Sequence, residues 1–451
     1  MNKPEGYSKD SRPASRNSFL KELTNFSRLL LREYSLNSIF VFYPQITLVI
    51  VGLVTLPIIL ANLPIEDYGN LQFVLALQVV FIALTGGNIT AGAKRGIAKG
   101  LDGTFLFAFL SRLRIMTAVS LLGFITSFFL YINGWQTISL LLAISSAYLL
   151  LGYLFQISYQ QYFIAKKQFK QLAIWEVTSS VSMAAAITVS AYLTHNILIF
   201  AAVQFGWMTV TGWLGWLYVV RKNGLIAAYK KELTDGECVP YGRKLIPADL
   251  IVLIAYRISH YIIGPVFGYS NLAVFSVAFN LNSRIAGFMK EARPLLYSDF
   301  ALLEEEKLIK AATHRLKYGI VISLAITLVF VVAGYLYISL FLPAIYQMAL
   351  TYFFILALAL PSILIGITLQ VMLEVNFRYR ELTILATVPS LIKIALIIGL
   401  GLSFGVIGIC WGIAIGAWIR FAFYYLITLK RETVRQYLNR FFAREEAPKE
   451  F

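Results

Sequence analysis

Long apolar runs separated by short polar breaks dominate the chain, and about 20 apolar residues in a row suffice for one helix to cross a bilayer. In the first half such runs fall at approximately 39–61, 71–91, 113–132, 138–164, 172–193 and 197–220. In the second half they fall at 245–267, 271–290, 318–342, 348–373, 382–402 and 405–428. The run 138–164 is longer than one span requires and predicts a helix that tilts or emerges into water. Elsewhere apolar residues recur three and four apart, in "SFLKELTNFSRLLLREY" (18–34), "SDFALLEEEKLIKAATHRLKYG" (298–319) and "TVRQYLNRFF" (433–442). That spacing predicts amphipathic helices lying on a membrane face. The fold class is therefore all-α: a polytopic membrane protein of about 12 transmembrane helices.

Composition agrees, with 59% of the 451 residues hydrophobic, 14% charged and a mean hydropathy of +0.72. A soluble protein of this size needs more polar surface than that to cover its core. The net charge of +16 raises nucleic acid as a partner. Basic cytoplasmic loops are the ordinary cause in a membrane protein, so no nucleic acid is expected. Of 39 Lys and Arg, 36 lie in the N-terminal tail, in the loops 92–114, 165–171, 221–244, 284–317 and 376–381, and in the C-terminal tail. The alternate loops, such as "NGWQT" and "LPAIYQ", carry none. That asymmetry places both termini in the cytoplasm, next to anionic membrane lipids. Residues 1–38 lack the pattern of a cleaved signal peptide, so the N-terminus is expected to be retained. Two cysteines, Cys238 and Cys410, and three scattered histidines, His195, His260 and His314, make neither a disulfide framework nor a metal site. No cofactor is expected.

The halves echo each other. "DYGNLQFVLAL" opens the second helix and "GYSNLAVFSVA" the eighth, sharing Tyr-x-Asn-Leu at Tyr68–Leu71 and Tyr269–Leu272. Six helices per half give both halves one orientation and favour two lobes working by alternating access. The expected organisation is a cytoplasmic tail (1–38), an N-lobe (39–220), a cytoplasmic linker (221–244), a C-lobe (245–428) and a cytoplasmic tail (429–451).

Two stretches carry a resemblance. "LPIEDYGNLQFVLALQ" (Leu63–Gln78) and "YRISHYIIGPVFGYSNLAVFSVAFNL" (Tyr256–Leu281) resemble the helix 2 start and the helix 7–8 segment of the Wzx-type oligosaccharide-lipid flippases. These form the polysaccharide transporter family of the multidrug/oligosaccharidyl-lipid/polysaccharide (MOP) exporter superfamily. The resemblance implies a MATE-like fold in a bacterial plasma membrane. It implies a polyprenyl-diphosphate-linked oligosaccharide as substrate, moved outward for O-antigen, capsule or exopolysaccharide. Family members often carry an aspartate where His260 stands, so the ion-coupling role of that carboxylate is not carried over. The energy source left open is a proton or sodium gradient.

Three cations lie inside predicted helices: Arg257, Lys393 and Arg420. A charged side chain at the bilayer centre costs about 2.5–3.5 kcal/mol on insertion scales, so such groups face a cavity or other helices. Fixed cations replace the hydration that a diphosphate loses in a low-dielectric path, and arginine grips phosphate oxygens through two N–H groups. The three are read as the site for the anionic headgroup. The alternative is pairing with backbone carbonyls or with buried carboxylates such as Glu176, Asp249 or Glu374, or snorkelling by Lys393 and Arg420. His260, one turn beyond Arg257, is read as a coupling group or as an internally hydrogen-bonded histidine. Asp249 is read as a gate, a cation ligand or a solvated cap, and Glu374 as a coupling group or the partner of Arg378 at i+4. "TGGNITAGAKRG" (Thr85–Gly96) closes helix 2 with small and polar residues, suited to close packing or to a polar window at Asn88 and Thr90.

Two rival functions remain at this stage. A drug/cation antiporter would place carboxylates, not arginines, deep in the membrane. A polysaccharide polymerase or ligase would need sizeable outer loops, whereas Glu66 and Asp67 are the only charged outer-loop residues. No phosphate-binding glycine loop or metal cluster is found, so the chain is read as a transporter and not an enzyme. The amphipathic flanks offer a docking surface for a polymerase or another biosynthetic membrane protein as the second reading of their role.

Overall fold

The computed structural model describes residues 36–231, 233–244, 246–290, 305–375 and 379–429, and among them every regular element is helical. In the first half these are α1 (Leu36–Asn62), α2 (Ile65–Leu84), α3 (Gly87–Ala98), α4 (Thr104–Ile132), α5 (Gln136–Ala165), α6 (Phe169–Thr194) and α7 (Ile197–Lys222). Two short helices, α8 (Leu225–Lys230) and α9 (Cys238–Lys244), occupy the connection. The second half holds α10 (Ile246–Phe267), α11 (Tyr269–Lys290), α12 (Glu305–Phe341), α13 (Ala349–Ala357), α14 (Leu360–Val375) and α15 (Tyr379–Leu429).

Among the described residues, 10 helical stretches are long and apolar enough to span a membrane. The expectation of twelve differs from this in two places. Thr383–Thr428 counts as one stretch but is two antiparallel arms joined at Gly405, whose φ of 65° only glycine adopts readily. The 22-residue helix α11 carries three asparagines and an arginine, which lower its hydropathy. Two of the asparagines face other helices: Asn280 donates to the Gln72 side chain and Asn282 to the Phe353 carbonyl.

Two boundaries also differ from the sequence reading. The second span starts at Ile65, not 71, because Glu66 and Asp67 sit in its first turn, where the helix dipole favours acids. It then stops at Leu84, the chain reverses hand at Gly86 (φ 70°), and α3 begins. The third span starts at Thr104, so Arg112 and Arg114, counted above with a loop, are helical. Residues 305–319 of the amphipathic 298–319 stretch run without a break into the apolar part of α12. The stretches 18–34 and 433–442 lie outside the described residues.

Prolines are accommodated by specific partners. Pro57 cannot donate to the Leu53 carbonyl four residues back, and the Tyr337 hydroxyl of α12 donates to that carbonyl at 2.8 Å. Pro265 lies in a π-turn, Ile263–Phe267, at the end of α10. The break between α13 and α14 is held by the Trp418 indole, which donates to the Leu358 carbonyl at 2.9 Å.

Packing is dense within each half: α1 on α6, α4 on α5, and α5 on α7; then α14 on α15, α12 on α14, and α10 on α15. The halves meet where α2 packs on α10 and α11, and α1 touches α11. The two Tyr-x-Asn-Leu copies face each other there. Gly69 lies against the Tyr269 carbonyl, and the Phe73 and Tyr269 rings meet edge to face at 5.6 Å. At the opposite, basic end, Asn88 of α3 donates to the Asp249 carboxylate of α10.

Candidate functional site

A cavity of about 490 Å³ lies between α10, α11, α14 and the two arms of α15. Its lining runs from the middle of these helices toward the basic end. That volume falls in the range of pockets that bury a drug-sized ligand. Lys393 and Arg420 both line it, and among the described residues no aspartate or glutamate does.

The hairpin of α15 is what brings these two cations together. Lys393 is on the first arm and Arg420 on the second, 27 residues later. A Cβ on Gly416 would lie 2.8 Å from Lys393 Cγ, so the missing side chain gives the lysine its place. Gly416 precedes Arg420 by one turn on the same helix face, about 6 Å along the axis. Arg420 Nη2 donates to the Tyr424 hydroxyl at 3.4 Å, and its guanidinium stands 5.7 Å from that ring's centroid. Asn282, Gln370 and Ser390 add neutral hydrogen-bonding groups to the wall.

Arg257 is not in this lining, although its neighbour Tyr256 is. Its guanidinium sits 5.0 Å from the Tyr256 ring centroid and 5.5 Å from that of Phe279, a cation–π arrangement. Arg257 Nη1 lies 3.1 Å from His260 Nε2. A guanidinium only donates, so Nε2 is the acceptor and the proton sits on Nδ1, which faces the Ser259 hydroxyl at 3.2 Å. His260 is fully buried between the edges of Phe275 and Phe279. In this geometry the neutral imidazole orients Arg257. His260→Gln, which offers an amide oxygen, should keep most activity, while His260→Phe should lose at least tenfold. Transport assays on both variants at matched membrane levels check this, and equal activity of the two would sink the orienting role.

Asp249 is half-buried and accepts from Asn88, so it ties α10 to α3 at the basic end. Of the two readings of Thr85–Gly96, close packing or a polar window, the structure shows Asn88 and Thr90 bonded to Asp249 and Arg112. The side chain of Glu374, and Arg378 with it, lies outside the described residues.

Two cations inside the fold escaped the sequence reading. Arg112 is 1% exposed. It donates from Nε to the Thr85 carbonyl (3.3 Å), from Nη2 to the Thr85 hydroxyl (2.9 Å) and from Nη1 to the Thr90 hydroxyl (2.7 Å). It therefore caps the carbonyl end of α2, where the helix dipole favours a cation. Its position at the edge of an apolar run made it look like a loop residue. Hydrogen bonds to a charged group contribute about 1.5–3 kcal/mol each, so Arg112→Leu should cost about 3 kcal/mol or more in stability. Thermal unfolding in detergent measures that. Arg284 is exposed within α11 and donates to the Leu48 carbonyl of α1 at 3.0 Å.

The family model of polysaccharide biosynthesis proteins matches residues 36–290, more than half of the chain. No curated protein matches. Among solved structures, an inward-facing multidrug resistance MATE family transporter of the MOP superfamily is similar, with a TM-score of 0.62 at 14% identity. The likeness covers 91% of this chain and 98% of that one. A MOP superfamily transporter from Pyrococcus furiosus reaches a TM-score of 0.65 at 14% identity, over 87% of this chain and 94% of that one. That protein is described with a binding pocket of reverse polarity that suggests a different function. At such identities the likeness shows the fold, which is MATE-like. Family and fold together support a multi-pass membrane transporter and point away from an enzyme. The resemblance carried by Leu63–Gln78 and Tyr256–Leu281 holds: the chain belongs to the polysaccharide biosynthesis protein family and has a MATE-like fold.

Proposed function

We propose that this transporter is a flippase for a polyprenyl-diphosphate-linked oligosaccharide, carrying its headgroup from the cytoplasmic to the outer leaflet of the plasma membrane. One observation carries the reading: a cavity of about 490 Å³ holds Lys393 and Arg420 within one helical turn, and no carboxylate lines it among the described residues. Such a cavity repels cationic drugs and attracts phosphate, because charges interact several-fold more strongly away from bulk water. The neutral groups of Asn282, Gln370 and Ser390 suit sugar hydroxyls.

The positive-inside asymmetry assigns the basic end, toward which the cavity extends, to the cytoplasm, where the lipid-linked sugar is made. Tyr68, Leu272 and Tyr346 are packed out of contact with solvent toward the other end. The arrangement corresponds to the loading state of an alternating-access cycle between the N-lobe and the C-lobe. A proton or sodium gradient remains the proposed energy source, with a neutral His260 orienting Arg257 in the loading state.

The test is mass spectrometry of polyprenyl-linked lipids in cells lacking the protein, with an impermeant glycosidase applied to intact spheroplasts. Accumulation of a protected oligosaccharide lipid supports the flippase. Accumulation of an accessible one points to a polymerase or ligase. No accumulation, with the glycan pathway active, points to small-molecule export.

A further inference from the structure

The α10–α11 hairpin separates two spaces. On one side Ala255, Phe279 and Asn282 face the cavity of Lys393 and Arg420. On the other side lie α1 and α2. There Tyr261 donates to the Ala76 carbonyl at 2.7 Å, Asn280 to the Gln72 side chain at 3.3 Å, and Arg284 to the Leu48 carbonyl at 3.0 Å. Between the spaces, the Tyr256 hydroxyl donates to the Ser283 hydroxyl at 3.0 Å and bridges the two helices.

Successive residues of a helix turn by about 100°. α10 and α11 run antiparallel, so seen from one end they turn in opposite senses. The residues that follow Tyr256 and Ser283 therefore swing to the same side of the hairpin. Those residues are Arg257 and Arg284, and the three bonds to α1 and α2 identify the side as the one facing the first half.

Arg284 is exposed and Arg257 partly so, yet both lie well inside their helices, and an exposed charge at that depth faces water and not lipid. Arg257 Nε has no hydrogen-bond partner. The helices α1, α2, α10 and α11 carry no acid apart from Glu66, Asp67 and Asp249 near their starts. Opposite Arg284, α1 has Gly52, where a Cβ would lie 1.7 Å from Nη1, so space is kept for the guanidinium.

We propose that Arg257 and Arg284 form a second anion station, on the first-half side of the hairpin, and that the Tyr256–Ser283 bridge is the door between it and the Lys393–Arg420 cavity. The inference rests on the flippase reading. The ligand is the diphosphate of the lipid headgroup, which meets this station first and the cavity second. Arg284 is parked on a neutral carbonyl, and a charge-assisted bond to phosphate is about twice as strong. Tyr256 supplies both the hydroxyl of the bridge and the ring beneath Arg257. An anion that draws Arg257 toward the station therefore moves the same side chain that closes the door.

The test uses the full-length protein in nanodiscs, titrated calorimetrically with inorganic pyrophosphate. Two sites per chain are expected. Arg257→Gln with Arg284→Gln should leave one, and Lys393→Gln with Arg420→Gln should leave the other. Arg257→Lys with Arg284→Lys, which keeps both charges, should retain two and controls for folding. A single site that is lost in the Lys393/Arg420 variant and unaffected in the Arg257/Arg284 variant overturns the second station while the flippase reading stands. No pyrophosphate binding overturns both. Tyr256→Phe keeps the ring and removes the bridge. It should raise the pyrophosphate off-rate of the cavity site severalfold in stopped-flow displacement, and an unchanged off-rate overturns the door.

Discussion

Replacing Lys393 and Arg420 together by glutamine should reduce glycan export to background while leaving the protein at its normal level in the membrane. A hydrogen bond to a charged group contributes about 1.5–3 kcal/mol, so two cations on one phosphate are worth about 3–6 kcal/mol, or roughly 10²- to 10⁴-fold in binding. Glutamine keeps much of the volume and the donors but not the charge. The fold should tolerate it, because glutamine fills much of the same space, including the room that Gly416 leaves beside Lys393. The measurement is the ratio of protected to accessible lipid-linked sugar in spheroplasts, normalised to protein level. Normal export by the double variant would remove the basis for the proposed substrate. Each single variant should lie between, since the remaining cation still faces the same space one turn away.

Gly69→Val should also abolish export, by a different route. A Cβ at Gly69 would stand 1.9 Å from the Tyr269 carbonyl oxygen, and ordinary contact begins at 3.4 Å. The obstacle is backbone, which cannot rotate away as a side chain does. α2 and α11 must therefore separate where the two halves pack together. Overpacking of this kind costs about 1–3 kcal/mol or more, and here it falls on the junction that keeps the short-loop end closed. Heat-induced unfolding should shift downward, and export should fall further than the lost protein explains. Gly69→Ala should show a weaker form of both effects. Wild-type stability in the valine variant would mean that the halves do not depend on this contact.

How much was legible beforehand depended on the range of the interaction. Span positions follow from local apolarity, because a bilayer rejects unpaired polar backbone whatever the rest of the chain does. Eleven of the twelve runs reappear as apolar membrane-length helices or arms, most within a few residues of the expected ends. Polar faces that are hidden by other helices misled the same logic. α2 was started late at Glu66–Asp67, and α4 was started late at Arg112, whose charge is spent on the carbonyl end of α2. Arg284, counted by its charge with the loop 284–317, lies within α11 and donates to the Leu48 carbonyl of α1.

Family membership was legible in two degenerate stretches, and the Tyr-x-Asn-Leu echo marked the pair of helices at which the halves meet. That deep cations exist at Arg257, Lys393 and Arg420 was plain from the sequence. Which of them share a space was not. Lys393 and Arg420 become neighbours only because Gly405 reverses the chain and Gly416 leaves room for a lysine stem. Arg257 turns to the other side of its hairpin, where Arg284 stands, because of the helical phase relative to Tyr256 and Ser283. The sequence alone thus determined the class of protein, its spans and the sign of the charges within them, all set by short-range hydropathy. Only the tertiary structure decided which charges act together, because contacts between residues far apart in the chain depend on how helices rotate and approach one another.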